Sequence, residues 1–154
     1  MGVKIFIDSA AKLWKILPRE GRRSITRIVH PKFTVSVTGI ITNEADEVLL
    51  LDHVLRPQSG WGPPGGFIAK DEQPETALRR EIREETGLEL RDVSLHRCRT
   101  LGRHVEVIFR ATAVGEAVVS SREITTLGWF AVEEMPPEMS LDLQFVIRDA
   151  LRPE

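Results

Sequence analysis

An α/β sandwich built around a mixed sheet, preceded by an N-terminal helical extension, is the fold this sequence predicts. Three observations predict it. A capped amphipathic helix spans 74–86, runs rich in β-branched residues stand on both sides of it, and a second amphipathic helix closes the sequence. The 154 residues are 42% hydrophobic and carry a formal net charge of −2. That length and content suffice for one compact domain with a real core, and the near-neutral balance gives no global reason to expect DNA binding.

The elements follow in order. Residues 1–32 read as an amphipathic and basic extension. Ile5, Phe6, Leu13, Trp14, Ile16 and Leu17, interleaved with Lys4, Lys12 and Lys15, suggest a helix up to Pro18. A basic stretch follows, with Arg19, Arg22, Arg23, Arg27 and Lys32. Packing on the domain or a second subunit, contact with a membrane surface, and capture of an anionic substrate are all open readings of this extension. The remaining chain, 33–154, reads as the main domain. Phe33 to Thr42 alternates as a strand, residues 43–47 form a polar turn, and Val48 to Leu51 return. The segment from Arg56 to Gly65 is a proline- and glycine-rich loop. After the central helix, Val93 to Thr100 and His104 to Val114 form a hairpin around Leu101, Gly102 and Arg103. A strand from Leu127 to Val132 leads to a last helix, Leu141 to Leu151, with Ser140 as its N-cap.

The central helix carries the chemistry. Pro74 suits a first turn, acidic Asp71, Glu72 and Glu75 stand near the positive end of the dipole, and Gly87 suits a left-handed C-cap. Leu78 and Ile82 make an apolar ridge, and Glu81, Glu84 and Glu85 make an acidic ridge beside it. Like charges at this spacing cost a bare helix about 0.2–0.5 kcal/mol per pair. Arg80 and Arg83 offset part of that, and a divalent cation offsets more. Few hard oxygen ligands with room for water and phosphate are what Mg²⁺ prefers. A solvated face laced with ion pairs is the bland alternative, and the flanking Pro64-Gly65-Gly66 turn argues against it.

Gly66, Glu72, Arg80, Glu81, Ile82, Glu84, Glu85, Gly87 and Leu88 fit G-x5-E-x7-R-E-U-x-E-E-x-G-U at every position, with U aliphatic. The segment therefore resembles the box of the Nudix (MutT-like) hydrolases. The resemblance covers roughly Phe33 to the C-terminus and implies the Nudix-type α/β/α sandwich. It implies metal-dependent hydrolysis of a diphosphate linkage in a nucleotide, nucleotide sugar or similar substrate, with Mg²⁺ or Mn²⁺ as cofactor. By the same resemblance Glu81, Glu84, Glu85 and the Gly66 carbonyl hold the metal, and Arg80 orients the acidic cluster. Glu81 or a loop carboxylate acts as base, and Glu72 and Gly87 are structural. Glu123 resembles the extra loop carboxylate that some relatives use as base or fourth ligand; a solvated acid is its other reading.

Beyond the box the candidates are residue by residue. His53, at the end of the second strand where many relatives have a phosphate-binding arginine, and Arg56 and Arg103 are candidate substrate contacts. Arg99 is a weaker one. Trp61 stacks on a base or packs in the core. The proline and tyrosine that mark ADP-ribose and dinucleoside-polyphosphate hydrolases past the box are missing, and the chain has no tyrosine. Two competing functions remain to be weighed. One is a non-catalytic nucleotide-binding regulatory module, which would be expected to lose box glutamates. The other is a prenyl-diphosphate isomerase, which would need a pocket cysteine. The one cysteine, Cys98, reads as a packed strand residue and allows no internal disulfide. With no apolar run near ~20 residues and no secretory leader pattern, the expected location is cytoplasmic. The expected partners are a small nucleotide-type substrate, with a second copy of the chain as an open reading.

Overall fold

The structure, a computed structural model, describes residues 14–56 and 59–152, with backbone alone at 27–29. The chain divides into two compact units, Met1–Phe33 and Thr34–Glu154. In the first, residues 14–16 are helical and helix α1 spans Arg19–Val29, starting directly after Pro18 as its N-cap. The sequence reading ended a helix at Pro18 and left the basic run without structure; here the run itself is the helix. Proline's fixed φ and missing N–H suit a helix entrance, and arginine is a good helix former. The part of the expected first helix that includes Ile5 and Phe6 lies outside the described residues.

In the second unit the chain runs β1 (Thr34–Thr42), β2 (Val48–His53), β3 (Trp61–Gly62), β4 (Gly65–Phe67) and α2 (Pro74–Thr86). It continues through β5 (Glu89–Leu101), β6 (His104–Val114), β7 (Ile124–Phe130) and α3 (Leu141–Ala150). Among the described residues the strands form one seven-stranded sheet in the order β3-β2-β1-β6-β5, with β4 on β1 and β7 on β2. β1 and β6 pair in parallel from Thr34↔His104 to Thr42↔Thr112, and every other pairing is antiparallel, so the sheet is mixed.

The two helices take opposite faces, and β1 shows why. Successive strand residues point to opposite sides. Ile41 joins Val37, Leu49, Leu51 and Phe109 under Leu78 and Ile82 of α2, while Ile40 joins Val48, Leu50 and Ile108 under Val146 and Ile147 of α3. Leu78 and Ile82 are fully buried, so truncating either to alanine costs about 2–5 kcal/mol. The α2 side stays apolar along β1. The α3 side does not: beyond Ile40 it continues as Thr38, Ser36 and Thr34, and beyond Ile108 of β6 as Glu106 and His104. Half of that face is thus core and half is polar.

Three local expectations change. The loop before the central helix contains two short strands, β3 and β4. β5 begins at Glu89 and is one long edge strand with two register shifts. Cys98, expected to be packed, is exposed, because the edge strand is mostly uncovered.

Candidate active site

Helix α2 is placed by its ends. Gln73 is an extended N-cap before Pro74, and Gly87 closes the helix at φ 71° with its N–H on the Arg83 carbonyl. Ahead of it, the Glu72 carboxylate accepts from the Ala69 N–H at 2.9 Å and from Nε and Nη2 of Arg80 at 2.9 and 3.0 Å. Two parallel charge-assisted bonds fix the plane of the arginine as well as its position. Hydrogen bonding to Arg80, with the Ala69 N–H adding, holds Glu72 down to about 2. The same guanidinium donates to Glu81 at 2.9 Å, to Glu84 at 3.3 Å and to the Phe67 carbonyl at 3.3 Å. Arg80 therefore ties the helix entrance, the acidic ridge and β4 together.

Glu85 is held differently. Only 7% of it is exposed, and its Oε2 accepts the Gly65 N–H at 3.2 Å. Burial pushes its carboxyl up to about 7, with Glu81 and Glu123 adding and the Gly65 N–H and Arg56 opposing. The glycine turn makes this closeness possible. A Cβ on Gly65, at φ 152°, would stand 2.1 Å from the Val37 carbonyl oxygen, and one on Gly66 would stand 2.3 Å from the Glu81 carboxylate. Gly65 lets the strand pass β1, and Gly66 lets the backbone lie against the acids.

Beside the turn opens a cleft of about 320 Å³, lined in part by Ser36, Thr38, Arg56, Phe67, His104 and Glu106. Arg56 donates to the Pro63 carbonyl at 3.1 Å, while its Nη1 is buried with no partner among the described residues. Burial lowers its pKa, against the raising effect of Glu85 and Glu106. Glu106 accepts from Thr38 Oγ1 and from Arg99 Nε, each at 2.6 Å, and Arg99 reaches on to Asp142 of α3 at 2.9 Å. His104 is pinned at both nitrogens, Nδ1 at 2.8 Å from Thr34 Oγ1 and Nε2 at 2.9 Å from Ser36 Oγ. Two larger recesses, of about 860 and 480 Å³, lie along the 43–47 turn and contain none of the motif's glutamates. Volume alone would point to the wrong place, and the charge distribution points here.

Of the residues singled out by sequence, the structure brings together Gly66, Arg80, Glu81, Glu84, Glu85 and Arg56, and places Glu123 near enough to Glu85 to raise it. Three others are not among the residues lining the cleft. Trp61 packs edge-on against Phe130 at 5.2 Å in the core on the α3 side and does not line the cleft. Arg103 sits exposed in the β5–β6 turn, where only its carbonyl is used, by the Thr34 N–H. His53 is half-buried, and desolvation, with Arg56 adding, pushes it down to about 4, so it is neutral at physiological pH. A neutral imidazole cannot replace a phosphate-binding arginine as a charge. Arg99 serves Glu106 and Asp142. The sequence reading missed Ser36, Thr38 and Glu106, although the hydroxyls recurring every second residue in β1 were the available signal.

The donor set suits a hard divalent cation, and the Gly66 cradle lets a carbonyl join the acids. The set is not preassembled: among the described residues no three acidic, imidazole or thiol groups form a ready cage. The physical reason is visible, since Arg80 holds Glu81 and Glu84.

A carboxylate cluster beneath a glycine turn, opening on a cleft with a half-satisfied guanidinium, suits a divalent cation and an anionic ligand. Comparison with known proteins gives the class of enzyme, a pyrophosphohydrolase. The family model for the NUDIX domain matches residues 32–150, and the chain belongs to the Nudix family. It is 32% identical over 127 residues to a MutT-like protein of Streptomyces ambofaciens, covering 79% of each. Over 66 residues it is 44% identical to the RNA pyrophosphohydrolase of Pseudomonas fluorescens, a match spanning 43% of this chain and 40% of that one. In structure it resembles the MutT NUDIX hydrolase of Burkholderia pseudomallei, with a TM-score of 0.68 and 27% identity over 77% of this chain and 98% of that one. No helix among the described residues is long and apolar enough to cross a membrane.

Proposed function

We propose that this chain hydrolyses a diphosphate linkage in a nucleoside-diphosphate-linked small molecule, with Mg²⁺ or Mn²⁺ held by Glu81, Glu84, Glu85 and the Gly66 carbonyl. The observation that carries this reading is the convergence of Glu81 and Glu85 on the two glycines of the turn, beside a cleft holding the half-buried Arg56, whose Nη1 is buried without a partner among the described residues. A diphosphate is the ligand whose charge Arg56 can answer while its oxygens face the acids' cation. The divalent ion supplies activation of the attacking water and neutralisation of the diphosphate. The chain's own residues do the rest. Arg80 fixes where Glu81 and Glu84 stand, Glu72 fixes Arg80, and Arg56 orients the phosphate. Glu81 or the loop carboxylate Glu123 takes a proton from water. His53, neutral behind Arg56, offers a ring nitrogen without charge. Cytoplasmic action and a homodimer are part of the same proposal.

Activity against nucleoside triphosphates, nucleotide sugars, ADP-ribose, dinucleoside polyphosphates and capped RNA, with Mg²⁺ and with Mn²⁺, tests it directly. Glu84→Gln and Glu85→Gln are expected to fold yet lose about 10²-fold or more in turnover, the scale of removing one key electrostatic group. Uniform inactivity of the wild type with both ions would favour a regulatory nucleotide-binding module instead.

A further inference from the structure

Hydrolysis of a diphosphate explains the glutamates and Arg56, and leaves the polar half of the α3-side sheet face without a task. Both strands turn polar along this face, β6 one step later in the register, since Thr38 stands opposite Ile108 and Ser36 opposite Glu106. β1 goes from Ile40 to Thr38 and Ser36, and β6 from Ile108 to Glu106 and His104. A polar row on open surface needs no explanation, but this row lies inside the cleft and its side chains are fixed. His104 is bonded at both nitrogens and Glu106 at both oxygens. At the rim stands Phe67, which keeps 65% of its surface in solvent. Its ring meets His104 edge-on, with centroids 5.9 Å apart at 81°. Its backbone carbonyl accepts from Arg80, so the residue is tied to the same helix as the catalytic acids.

A fixed aromatic ring exposed over a floor of hydroxyl, imidazole and carboxylate is the chemistry that holds a nucleoside. The ring takes the planar base, and the floor takes the sugar hydroxyls and the base edge through directional hydrogen bonds. An apolar tail would gain the ring and make no use of the polar floor. We propose that Phe67 is the platform on which the substrate's nucleobase stacks, with Ser36, His104 and Glu106 as the floor beneath its nucleoside. The inference rests on the hydrolase reading of the same cleft and deepens it, assigning the organic half of the substrate.

The test uses the full chain with Mg²⁺ and two kinds of non-hydrolysable probe. Methylenediphosphonate carries only the diphosphate mimic, and the α,β-methylene analogues of ADP and GDP carry it with a nucleoside. Calorimetric titration is expected to find the nucleotide analogues roughly 10- to 100-fold tighter than the bare diphosphonate, the range that base–aromatic stacking spans. Phe67→Ala is expected to remove most of that difference, with the loss falling on the nucleotides. Phe67→Trp is expected to keep it, which a merely structural role for the ring at this position would not require. Equal binding of all probes to the wild type, or an undiminished nucleotide preference in Phe67→Ala, overturns the platform while leaving the diphosphate site standing. Failure of every probe, the bare diphosphonate included, overturns both.

Discussion

Two glutamates of one motif, Glu72 at the entrance of α2 and Glu85 at its last turn, stand in opposite circumstances. Glu72 spends both oxygens on Arg80 and a backbone N–H and is held down to about 2. Glu85 receives one backbone N–H, lies beside two other acids, and is pushed up to about 7. The same side chain is a clamp at one end of the helix and a buried, under-bonded carboxyl at the other. What separates them is burial first and donors second: Glu85 is desolvated, and Arg80 does not reach it. A site that must attract a cation is built by withholding one.

Substitution should separate the two most sharply in turnover. Glu85→Gln is expected to lower kcat about 10²-fold or more with little change in melting temperature. Glu72→Gln is expected to lower the melting temperature and to reduce kcat less, through a loosened Arg80. Steady-state kinetics with parallel thermal melts decide it, and equal kcat losses would break the contrast. The neighbouring glycines sharpen the same division. Gly65→Ala forces a left-handed φ and a backbone clash with Val37, so a stability loss above ~1 kcal/mol is expected in denaturant titration. For Gly66→Ala the three nearest atoms all belong to the Glu81 carboxylate, the end of a side chain that can swing aside. It should melt close to wild type and lose activity.

The smallest effects are in pH. The raised Glu85 binds its proton more tightly folded than unfolded, so stability of the metal-free protein should fall as pH climbs from 4.5 to about 7, and Glu85→Gln should flatten that fall. The lowered Glu72 has the opposite sign. Its contribution is present above its ordinary value of 4.5 and is lost as pH drops toward about 2, so Glu72→Gln should shrink the acid limb. Urea titrations across pH on wild type and the two variants measure both slopes. Slopes of the same sign would show that the two environments are alike.

Helix α2 was fully legible in the sequence because its determinants are local: Pro74, Gly87, and ridges at helical spacing. β1 and β6 were legible by alternation. What alternation could not show is which face each residue takes, and so the polar run of Thr34, Ser36 and Thr38 was read only as strand propensity. Glu106 was invisible for the same reason, since its partners Thr38 and Arg99 come from two other strands. Trp61 was ambiguous until its neighbour Phe130, far along the chain, was seen against it. Helix α1 was missed because Pro18 reads equally as an end and as a beginning. The Nudix motif carried the acidic site almost whole, because seven residue identities at fixed spacing need no tertiary information.

The run of bonds from Thr38 through Glu106 and Arg99 to Asp142 ends on the outermost turn of α3. That gives a remote surface acid a lever on the floor where the nucleoside is proposed to rest. If the terminal helix lifts, Arg99 can follow Asp142 outward, and an anion is uncovered beneath the ligand. Helix α3 is then a keystone, and a chain without it would lose the anchor of Arg99 together with Val146, Ile147 and Ala150 of the core.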